Sequence, residues 1–313
     1  MRYLNELRDG ESVIEFYFCK QRQSMTSKTG KNYLSLVLQD KTGTASAKIW
    51  EQNNNIQSFE TGDFIKIAAN VQTYNGEIQL IINKLRRAHE GEYDEADYIP
   101  STKFNIDEMY KEFLDFIPTF ENKHIKKLVN AILVENEYIN KEFKKHTAAK
   151  AMHHNYLGGL LEHTLSVTKM CQKMAEHYPM ANRDILVACA MLHDVAKIYE
   201  LSDFPNIEYT DSGELLGHLV MGSDMIGREA EKIEGFPVEL KHMMQHCILS
   251  HHGQLEYGSP KTPRTLEAML LHYADDMDAY VKMFEDSVNA CNTQSAWVGY
   301  NRIMERNLRK TKF

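Results

Sequence analysis

The dipeptide His193-Asp194 is the part of the sequence that most strongly indicates chemistry, because it follows a long apolar run. Residues 185–192 read Ile-Leu-Val-Ala-Cys-Ala-Met-Leu, which predicts a buried helix continuing through the dipeptide. Burying an imidazole and a carboxylate costs several kcal/mol unless a cation or strong hydrogen bonds compensate. A divalent metal ion compensates for both groups, since neutral His and ionised Asp are ligands for manganese, iron and zinc.

Lys197 adds a cation beside the same dipeptide. It lies four residues after His193 and three after Asp194, which places all three on one face of a helix. An ammonium group at that position can hold a phosphate oxygen or take part in proton transfer. We therefore predict Asp194 and Lys197 as the catalytic residues.

Neighbouring helices offer further donors for a metal site. His163 follows a pair of glycines that allow close helix packing, and Asp275 is a polar insertion in an apolar helix. A second metal position sharing Asp194 can be formed by three more histidines: His218, His251 and His252. Two metals a few ångströms apart are a recurrent device for phosphoester hydrolysis. Without a metal, these groups would be hydrogen-bonded core polar residues or histidines facing a helix dipole.

The elements that carry these residues follow from the apolar periodicity, which is that of strands over the first ninety residues. Five predicted strands are Val13–Gln21, Tyr33–Asp40, Thr44–Trp50, Phe64–Tyr74 and Glu77–Arg87. Turn-forming residues separate them, including Asn75-Gly76 between the last two. This pattern predicts a five-stranded OB-type barrel at residues 1–88, with another small β-barrel as the alternative.

The remainder of the chain has a different character. Residues 89–102 contain five acidic side chains and no Lys or Arg, which indicates a solvated linker. From 103 to 313 the apolar period is helical. The strongest predicted helices are Gly158–Glu176, Arg183–Leu201, Leu216–Glu234, Val238–His251 and Thr265–Asn289. The sequence thus predicts a multidomain α and β protein, with the barrel followed by an all-α domain and a basic C-terminal tail.

Composition restricts the class of protein further. The 313 residues carry a net charge of −8, with +2 on residues 1–90 and −10 on residues 91–313. That balance excludes a protein that coats nucleic acid through positive surface charge alone, but it does not exclude one that binds nucleic acid with the help of metal ions. No apolar run approaches the roughly 20 residues that span a bilayer. The five cysteines are scattered, which favours a reducing cytoplasm.

OB barrels bind single strands by stacking bases on aromatic side chains while cations follow the backbone. The aromatic candidates here are Tyr17, Tyr33, Trp50 and Tyr74, and the cationic ones are Arg22, Lys28, Lys31 and Lys48. Each aromatic side chain can instead belong to the barrel core. Lys261, in a loop with two prolines, is a further candidate contact. A C-terminal basic cluster is either an RNA contact or a solvated tail: Arg302, Arg306, Arg309, Lys310 and Lys312.

The ordered set of His163, His193-Asp194 with Lys197, and Asp275 resembles the H…HD…D pattern of the HD phosphohydrolase superfamily. The additional histidines resemble those of its two-metal members. An OB domain ahead of an HD domain, with LQDKTG at 38–43 and LSHHGQLEYGSPKTP at 249–263, is similar to the YhaM-type 3′→5′ exoribonucleases of Gram-positive bacteria.

The resemblance implies two metal sites. The first is formed by His163, His193, Asp194 and Asp275, and the second by His218, His251 and His252 with Asp194 bridging. One or two divalent ions are expected; manganese is favoured, and iron or another divalent ion is the alternative.

The resemblance also implies a cytoplasmic exoribonuclease that degrades single-stranded RNA to 5′-mononucleotides, with single-stranded DNA as an alternative substrate. Two other functions stay open. One is an HD phosphohydrolase acting on free or cyclic nucleotides, with a regulatory barrel. The other is a non-catalytic nucleic-acid-binding protein with a structural metal site. A homo-oligomer is compatible with the sequence, although no segment requires one.

Overall fold

The computed structural model describes residues 1–27, 30–50, 55–74, 76–149, 156–203, 207–289, 291 and 295–311. They form two compact units, one comprising Met1–Ser101 and a helical unit that begins at Thr102. Lys28, Asn75 and Lys312, which the sequence singled out, lie outside the described residues. No helix within the described ranges is long and apolar enough to cross a membrane.

The first unit contains a closed five-stranded barrel. Its strands are β1 (Ser12–Thr26), β2 (Asn32–Asp40), β3 (Gly43–Ile49), β4 (Phe64–Tyr74) and β5 (Glu77–Arg87). They are hydrogen-bonded in the order β1-β2-β3-β5-β4, and β1 closes the barrel by pairing with both β2 and β4. The predicted barrel is confirmed, and β1 continues five residues beyond its predicted end at Gln21.

Alternating side chains fill the barrel, as the period of a strand requires. On β2, for example, Leu34, Leu36 and Leu38 all point into the core. Tyr17 belongs to the same core with 0% exposure, and its hydroxyl donates a hydrogen bond to the Arg2 carbonyl at 3.1 Å. The suggestion that Tyr17 could stack on a base is therefore wrong, because its ring lies inside the barrel.

The sequence predicts a solvated linker at 89–102, but two residues of this acidic stretch, Tyr93 and Tyr98, are packed on the barrel. Tyr98 is 2% exposed and clusters with Phe18 and Phe64, while Tyr93 stacks on Phe64 at a centroid distance of 4.0 Å. The Gln39 amide donates to the Tyr98 carbonyl at 3.1 Å. The acidic composition predicted solvent exposure, although two tyrosines of this stretch bury apolar surface against the barrel.

The second unit is mainly helical. Its helices are α1 (Ile106–Leu114), α2 (Lys123–Asn130), α3 (Glu137–Glu142), α4 (Gly159–His177), α5 (Arg183–Leu192), α6 (Lys197–Glu200), α7 (Asp211–Lys232), α8 (Val238–Ser250) and α9 (Leu266–Asn289). The central helix is α5, in which every residue from Leu186 to Leu192 is buried. Helices α4, α8 and α9 pack around it.

The structure differs from the prediction of one helix over Arg183–Leu201. Helix α5 ends at Leu192, and α6 starts at Lys197, so His193–Ala196 form a turn. The turn is tight, with the Lys197 amide donating to the Asp194 carbonyl at 3.0 Å. No Gly or Pro marks the break, which is why the apolar pattern alone did not reveal it.

The C-terminal segment also differs from the expected basic tail on an all-α domain. It forms a hairpin of β6 (Trp297–Asn301) and β7 (Arg306–Arg309). Met304 is 9% exposed and Leu308 is 4% exposed. These two apolar side chains anchor the hairpin by burial, which a solvated tail would not provide.

Candidate active site

Seven donor side chains from five parts of the helical unit converge on one place, and we call them the metal-ligand cluster. Helix α4 supplies one, the turn after α5 two, α7 one, the end of α8 two, and α9 one. The members are His163, His193, Asp194, His218, His251, His252 and Asp275. All are candidates from the sequence, and the structure brings all of them together.

The first donor set surrounds His163. Its Nε2 lies 3.0 Å from Asp275 Oδ1, 3.2 Å from His193 Nε2 and 3.5 Å from Asp194 Oδ2. His193 Nε2 lies 3.4 Å from the same Asp194 oxygen. Four ligand atoms within these distances can face one cation.

The second donor set lies on the other side of the same carboxylate. Asp194 Oδ1 is 3.5 Å from His218 Nε2 and 3.6 Å from His251 Nε2. His252 Nε2 approaches His218 Nε2 to 3.3 Å. Asp194 therefore presents one oxygen to each set, which is the arrangement of a bridging ligand.

All five histidines of the cluster are held in the same way. In each ring Nδ1 faces a protein acceptor: Asp278 for His163, the Ala190 carbonyl for His193, Glu200 for His218, the Ile248 carbonyl for His251 and the Tyr257 carbonyl for His252. A hydrogen on Nδ1 satisfies each acceptor and leaves Nε2 with its lone pair facing inward. That orientation is the one that metal-binding histidines require.

Asp194 provides the clearest indication that a cation belongs here. Its side chain is 1% exposed, and neither carboxylate oxygen accepts a hydrogen bond of ordinary geometry from the described residues. His251 Nε2 is likewise buried without a hydrogen-bond partner. Lys197 Nζ lies 2.7 Å from Oδ2, at ion-pair distance. Oδ1 has no Lys or Arg partner among the described residues, and a buried carboxylate oxygen that faces imidazole lone pairs fits a divalent ion.

Electrostatics keep Asp194, His251 and His252 in their ligand forms, but not His163. Burial alone would lower the pKa of His163, whereas Asp275 and Asp278 raise it to about 10, so a bound metal ion would have to displace its proton. Burial alone would raise the pKa of Asp194, but Lys197 and His193 hold it well below its ordinary value. Burial lowers the pKa of His251 and, together with His251 and His218, lowers that of His252 to about 3. These two imidazoles are thus neutral at pH 7, as metal ligands must be.

Two carboxylates that the sequence analysis did not name each contact the Nδ1 atom of one histidine in the metal-ligand cluster. Asp278 Oδ2 lies 2.7 Å from His163 Nδ1, and Glu200 Oε1 lies 2.8 Å from His218 Nδ1. Asp278 is three residues after Asp275, so helical spacing could have indicated it. Glu200 had no such signal, because it meets His218 only through a kink in α7.

That kink is at Gly217, which has a left-handed φ of 71°. Residues other than glycine rarely adopt this conformation. It turns the chain so that both the backbone N–H and the ring of His218 reach Glu200, the amide at 2.9 Å. The glycine noted before His218 in the sequence therefore has a structural reason.

An open cleft of about 640 Å³ borders the second donor set. Lys197, Glu200, His218 and His252 lie along it. The rest of its lining is mainly apolar or aromatic: Ala148, Ala149, Leu201, Tyr209, Leu216, Gly217, Leu219, Val220, Tyr257, Gly258 and Pro260. Lys261, a predicted contact, is exposed beside this lining and is not part of it.

A different group of predicted residues meets on the barrel, and we call it the barrel cluster: Tyr33, Lys48, Trp50 and Tyr74. The Tyr33 and Trp50 rings lie 4.8 Å apart between centroids. Lys48 Nζ lies 5.4 Å from the centroid of Tyr33 and 5.2 Å from those of Trp50 and Tyr74. Trp50 is 43% exposed and Tyr74 55%. Exposed rings around one ammonium group form a surface on which bases can stack.

Two other barrel candidates, Arg22 and the exposed Lys31, are not part of this cluster. Arg22 pairs with Glu60 at 3.3 Å and lies over the Phe59 ring at 5.4 Å. Its charge is partly neutralised by this carboxylate, so the structure gives less support to a phosphate contact there than at Lys48.

Comparison with known proteins agrees with this geometry. Residues 160–280 match the HD domain family, and residues 18–88 match a family described as OB-fold nucleic acid binding domain. Over 278 residues the chain is 34% identical to a protein of Geobacillus sp. (strain WCH70) named 3′-5′ exoribonuclease YhaM, covering 88% of this chain and 85% of that protein.

Two solved structures are similar over part of the chain. The second OB-fold domain of replication protein A from Methanococcus maripaludis is 15% identical, with 29% of this chain and 98% of that one covered and a TM-score of 0.24. A replication factor A related protein from Methanobacterium thermoautotrophicum is 18% identical, with 30% and 94% covered and a TM-score of 0.25.

Proposed function

The chain belongs to the family of the 3′-5′ exoribonuclease YhaM, and on that premise we propose that it is a metal-dependent hydrolase that shortens single-stranded RNA from the 3′ end and releases 5′-mononucleotides. The observation that carries the chemistry is the convergence of four imidazole Nε2 atoms around the buried Asp194 carboxylate, with a fifth, that of His252, beside His218 Nε2. This arrangement suits phosphodiester hydrolysis better than a structural role, because the second donor set opens onto a cleft.

Two divalent ions fit the donors, and Mn²⁺ is our choice for both. His163, His193 and Asp275 would hold one, His218, His251 and His252 the other, and Asp194 would bridge them. Such ions acidify water and neutralise phosphate charge when bound. The carboxylate donors suit manganese and the imidazole donors suit iron or zinc, so the choice of manganese rests on the resemblance to the YhaM-type exoribonucleases.

Among the residues that the structure describes, Lys197 is the one Lys or Arg that borders both Asp194 and the cleft. Burial alone would lower its pKa, but the Asp194 carboxylate raises it, so the ammonium group remains charged. Its side chain is 16% exposed, which leaves it accessible to a ligand in the cleft. We propose that it holds a non-bridging phosphate oxygen and so orients the scissile bond.

The cleft suits the terminal nucleoside of an RNA strand of any sequence. Tyr209, Leu216 and Tyr257 offer apolar and aromatic surface for a base. Glu200, a hydrogen-bonding group that could read a base edge, is already bound to His218. An enzyme that removes successive nucleotides needs this tolerance, since stacking accepts every base.

We propose that the barrel cluster binds a part of the RNA strand that is distant from the 3′ end. Tyr33, Trp50 and Tyr74 would stack on bases, and Lys48 would neutralise a phosphate. The same contacts serve single-stranded DNA, so the barrel by itself does not distinguish the two nucleic acids. Residues 1–88 therefore act as the binding domain and residues 103–313 as the catalytic one.

A labelled oligoribonucleotide tests the proposal. With Mn²⁺, a 5′-labelled strand should give a ladder that shortens from its 3′ end, and a 3′-labelled strand should release labelled mononucleotide at once. A strand of the same sequence held in a duplex is the matched substrate control and should be degraded more slowly. Hydrolysis of free or cyclic nucleotides alone, with the oligoribonucleotide left intact, would contradict the assignment.

A further inference from the structure

The C-terminal hairpin presents a solvent-exposed surface that has no role in the chemistry described above. Leu308 is buried and pairs with Gly299, so the neighbouring residues of β7, Asn307 and Arg309, face the other side. Their partners on β6 are Tyr300 and Trp297. Trp297 is 56% exposed and Tyr300 62%. We call Trp297, Tyr300, Asn307 and Arg309 the hairpin face.

Positive charge is concentrated around these aromatic rings. Residues 295–311 contain four cationic side chains and a single acidic one, Glu305, within a chain whose residues 91–313 carry −10. Among the described residues, none of the ion pairs involves Arg302, Arg306 or Arg309. The Arg309 guanidinium lies 6.0 Å from the centroid of the Trp297 ring. The hairpin thus offers guanidinium groups that no carboxylate of the described residues neutralises.

Hydrogen bonds fix the hairpin to helix α9 and to the residue Cys291 that follows it. The Asn301 amide donates to Ser287 Oγ on α9 at 2.9 Å, and Lys310 Nζ donates to the Cys291 carbonyl at 3.3 Å. Helix α9 also carries Asp275, twelve residues before Ser287. At 1.5 Å per residue, the two positions lie about 18 Å apart along the helix.

We propose that the hairpin face is a second contact site for single-stranded RNA, a proposal that takes its ligand from the function proposed above. Trp297 and Tyr300 would stack on bases while Arg309 meets a phosphate on the same face, and the exposed Arg302 and Arg306 at the hairpin turn would meet neighbouring phosphates. Exposed aromatic rings beside guanidinium groups favour a single-stranded nucleic acid, because its bases can stack on the rings while its phosphates pair with the guanidinium groups. Because the hairpin is about 18 Å along α9 from Asp275, only strands of several nucleotides can contact both.

Three variants test the site by fluorescence anisotropy with a labelled twelve-nucleotide RNA in EDTA, which prevents cleavage. The triple variant Arg302→Gln, Arg306→Gln, Arg309→Gln should reduce the slope of log affinity against log salt by about 2. The double variant Trp297→Ala, Tyr300→Ala should weaken binding by about 5-fold or more. The double variant Trp297→Phe, Tyr300→Phe retains aromatic surface and should bind close to wild type.

Matched controls remove the same groups elsewhere on the helical unit. The triple variant Lys103→Gln, Lys111→Gln, Lys123→Gln removes three exposed positive charges, and Tyr178→Ala removes an exposed ring. Both should leave the salt slope and the affinity unchanged. Mn²⁺-dependent hydrolysis of bis(p-nitrophenyl) phosphate, too small to reach the hairpin, should be equal in all variants if the metal-ligand cluster is intact.

Different outcomes overturn different proposals. If wild-type protein leaves RNA intact, the proposed function is wrong. If wild-type protein degrades RNA and the folded triple arginine variant keeps the wild-type salt slope, only the second contact site is wrong. A hairpin variant that changes the sedimentation mass but not RNA affinity would identify the face as a protein interface and would equally overturn the site.

Discussion

The metal-ligand cluster and the barrel cluster carry the two halves of the proposed function, and they differ most in burial. His193 is 0% exposed and Asp194 1%, whereas Trp50 is 43% exposed and Tyr74 55%. In the metal-ligand cluster each imidazole has an acceptor for Nδ1. On the barrel, by comparison, the rings and Lys48 contact mainly one another.

This difference follows from what each region has to do. Hydrolysis depends on reacting groups being held before the substrate arrives, in a site with little water, because reorganisation during the reaction raises the barrier. Binding of a strand with any sequence needs only accessible stacking surface and charge. Substitutions in the two regions should therefore differ in size and in the kinetic constant that they change.

The substitution with the largest expected effect is Asp194→Asn. It removes the charge that faces both donor sets and leaves Lys197 without its partner, so we expect kcat to fall by about 1,000-fold and bound metal to decrease. Elemental analysis and single-turnover assays measure both quantities. Asp224→Asn, which affects an exposed pair with Arg228 on α7, is the control and should be neutral. A folded Asp194→Asn protein with wild-type activity would refute the site.

A smaller effect is expected from the supporting carboxylates. Asp278→Asn and Glu200→Gln each loosen the ring orientation of one ligand, so metal affinity should fall by about 10- to 100-fold. When activity is titrated with Mn²⁺, the concentration that gives half-maximal activity should be higher in both variants than in wild type. Activity should recover at high Mn²⁺ concentration. Comparing the two variants also shows whether activity needs one metal ion or two. An enzyme that needs only the first donor set would be insensitive to Glu200→Gln.

On the barrel, Trp50→Ala should change binding and leave chemistry intact. Loss of one stacking ring should weaken RNA affinity by about 5- to 100-fold and raise KM, with kcat at saturation unchanged. Tyr178→Ala, an exposed ring on the helical unit, is the matched control. A fall in kcat with unaltered KM would mean that the barrel cluster takes part in catalysis, and the division between the two regions would fail.

The smallest expected effect belongs to Lys48→Gln. Removal of one phosphate contact should reduce the slope of log affinity against log salt by about 0.7. Arg22→Gln is the comparison, because Arg22 is already paired with Glu60 and should change the slope less. Equal changes in the two variants would show that the barrel contacts phosphates over a wider surface than the cluster.

The sequence by itself determined the identity of the donors and most of the elements that carry them. A polar dipeptide after an apolar helix indicated a metal, because burial without a cation is costly. The alternation of apolar residues predicted five strands, because a period of two is a local property of the chain. It also assigned Trp50 and Tyr74 as candidates, although it could not separate them from Tyr17.

Only the tertiary structure decided which candidates meet and which face solvent. The break after Leu192 and the kink at Gly217 direct His193 and His218 toward Asp194, and Glu200 reaches His218 only through that kink. Packing buried Tyr17 and Tyr98 and left the ring of Trp297 exposed. Side-chain types and spacings are local, whereas convergence depends on how several distant elements pack, and that information is distributed over the whole core.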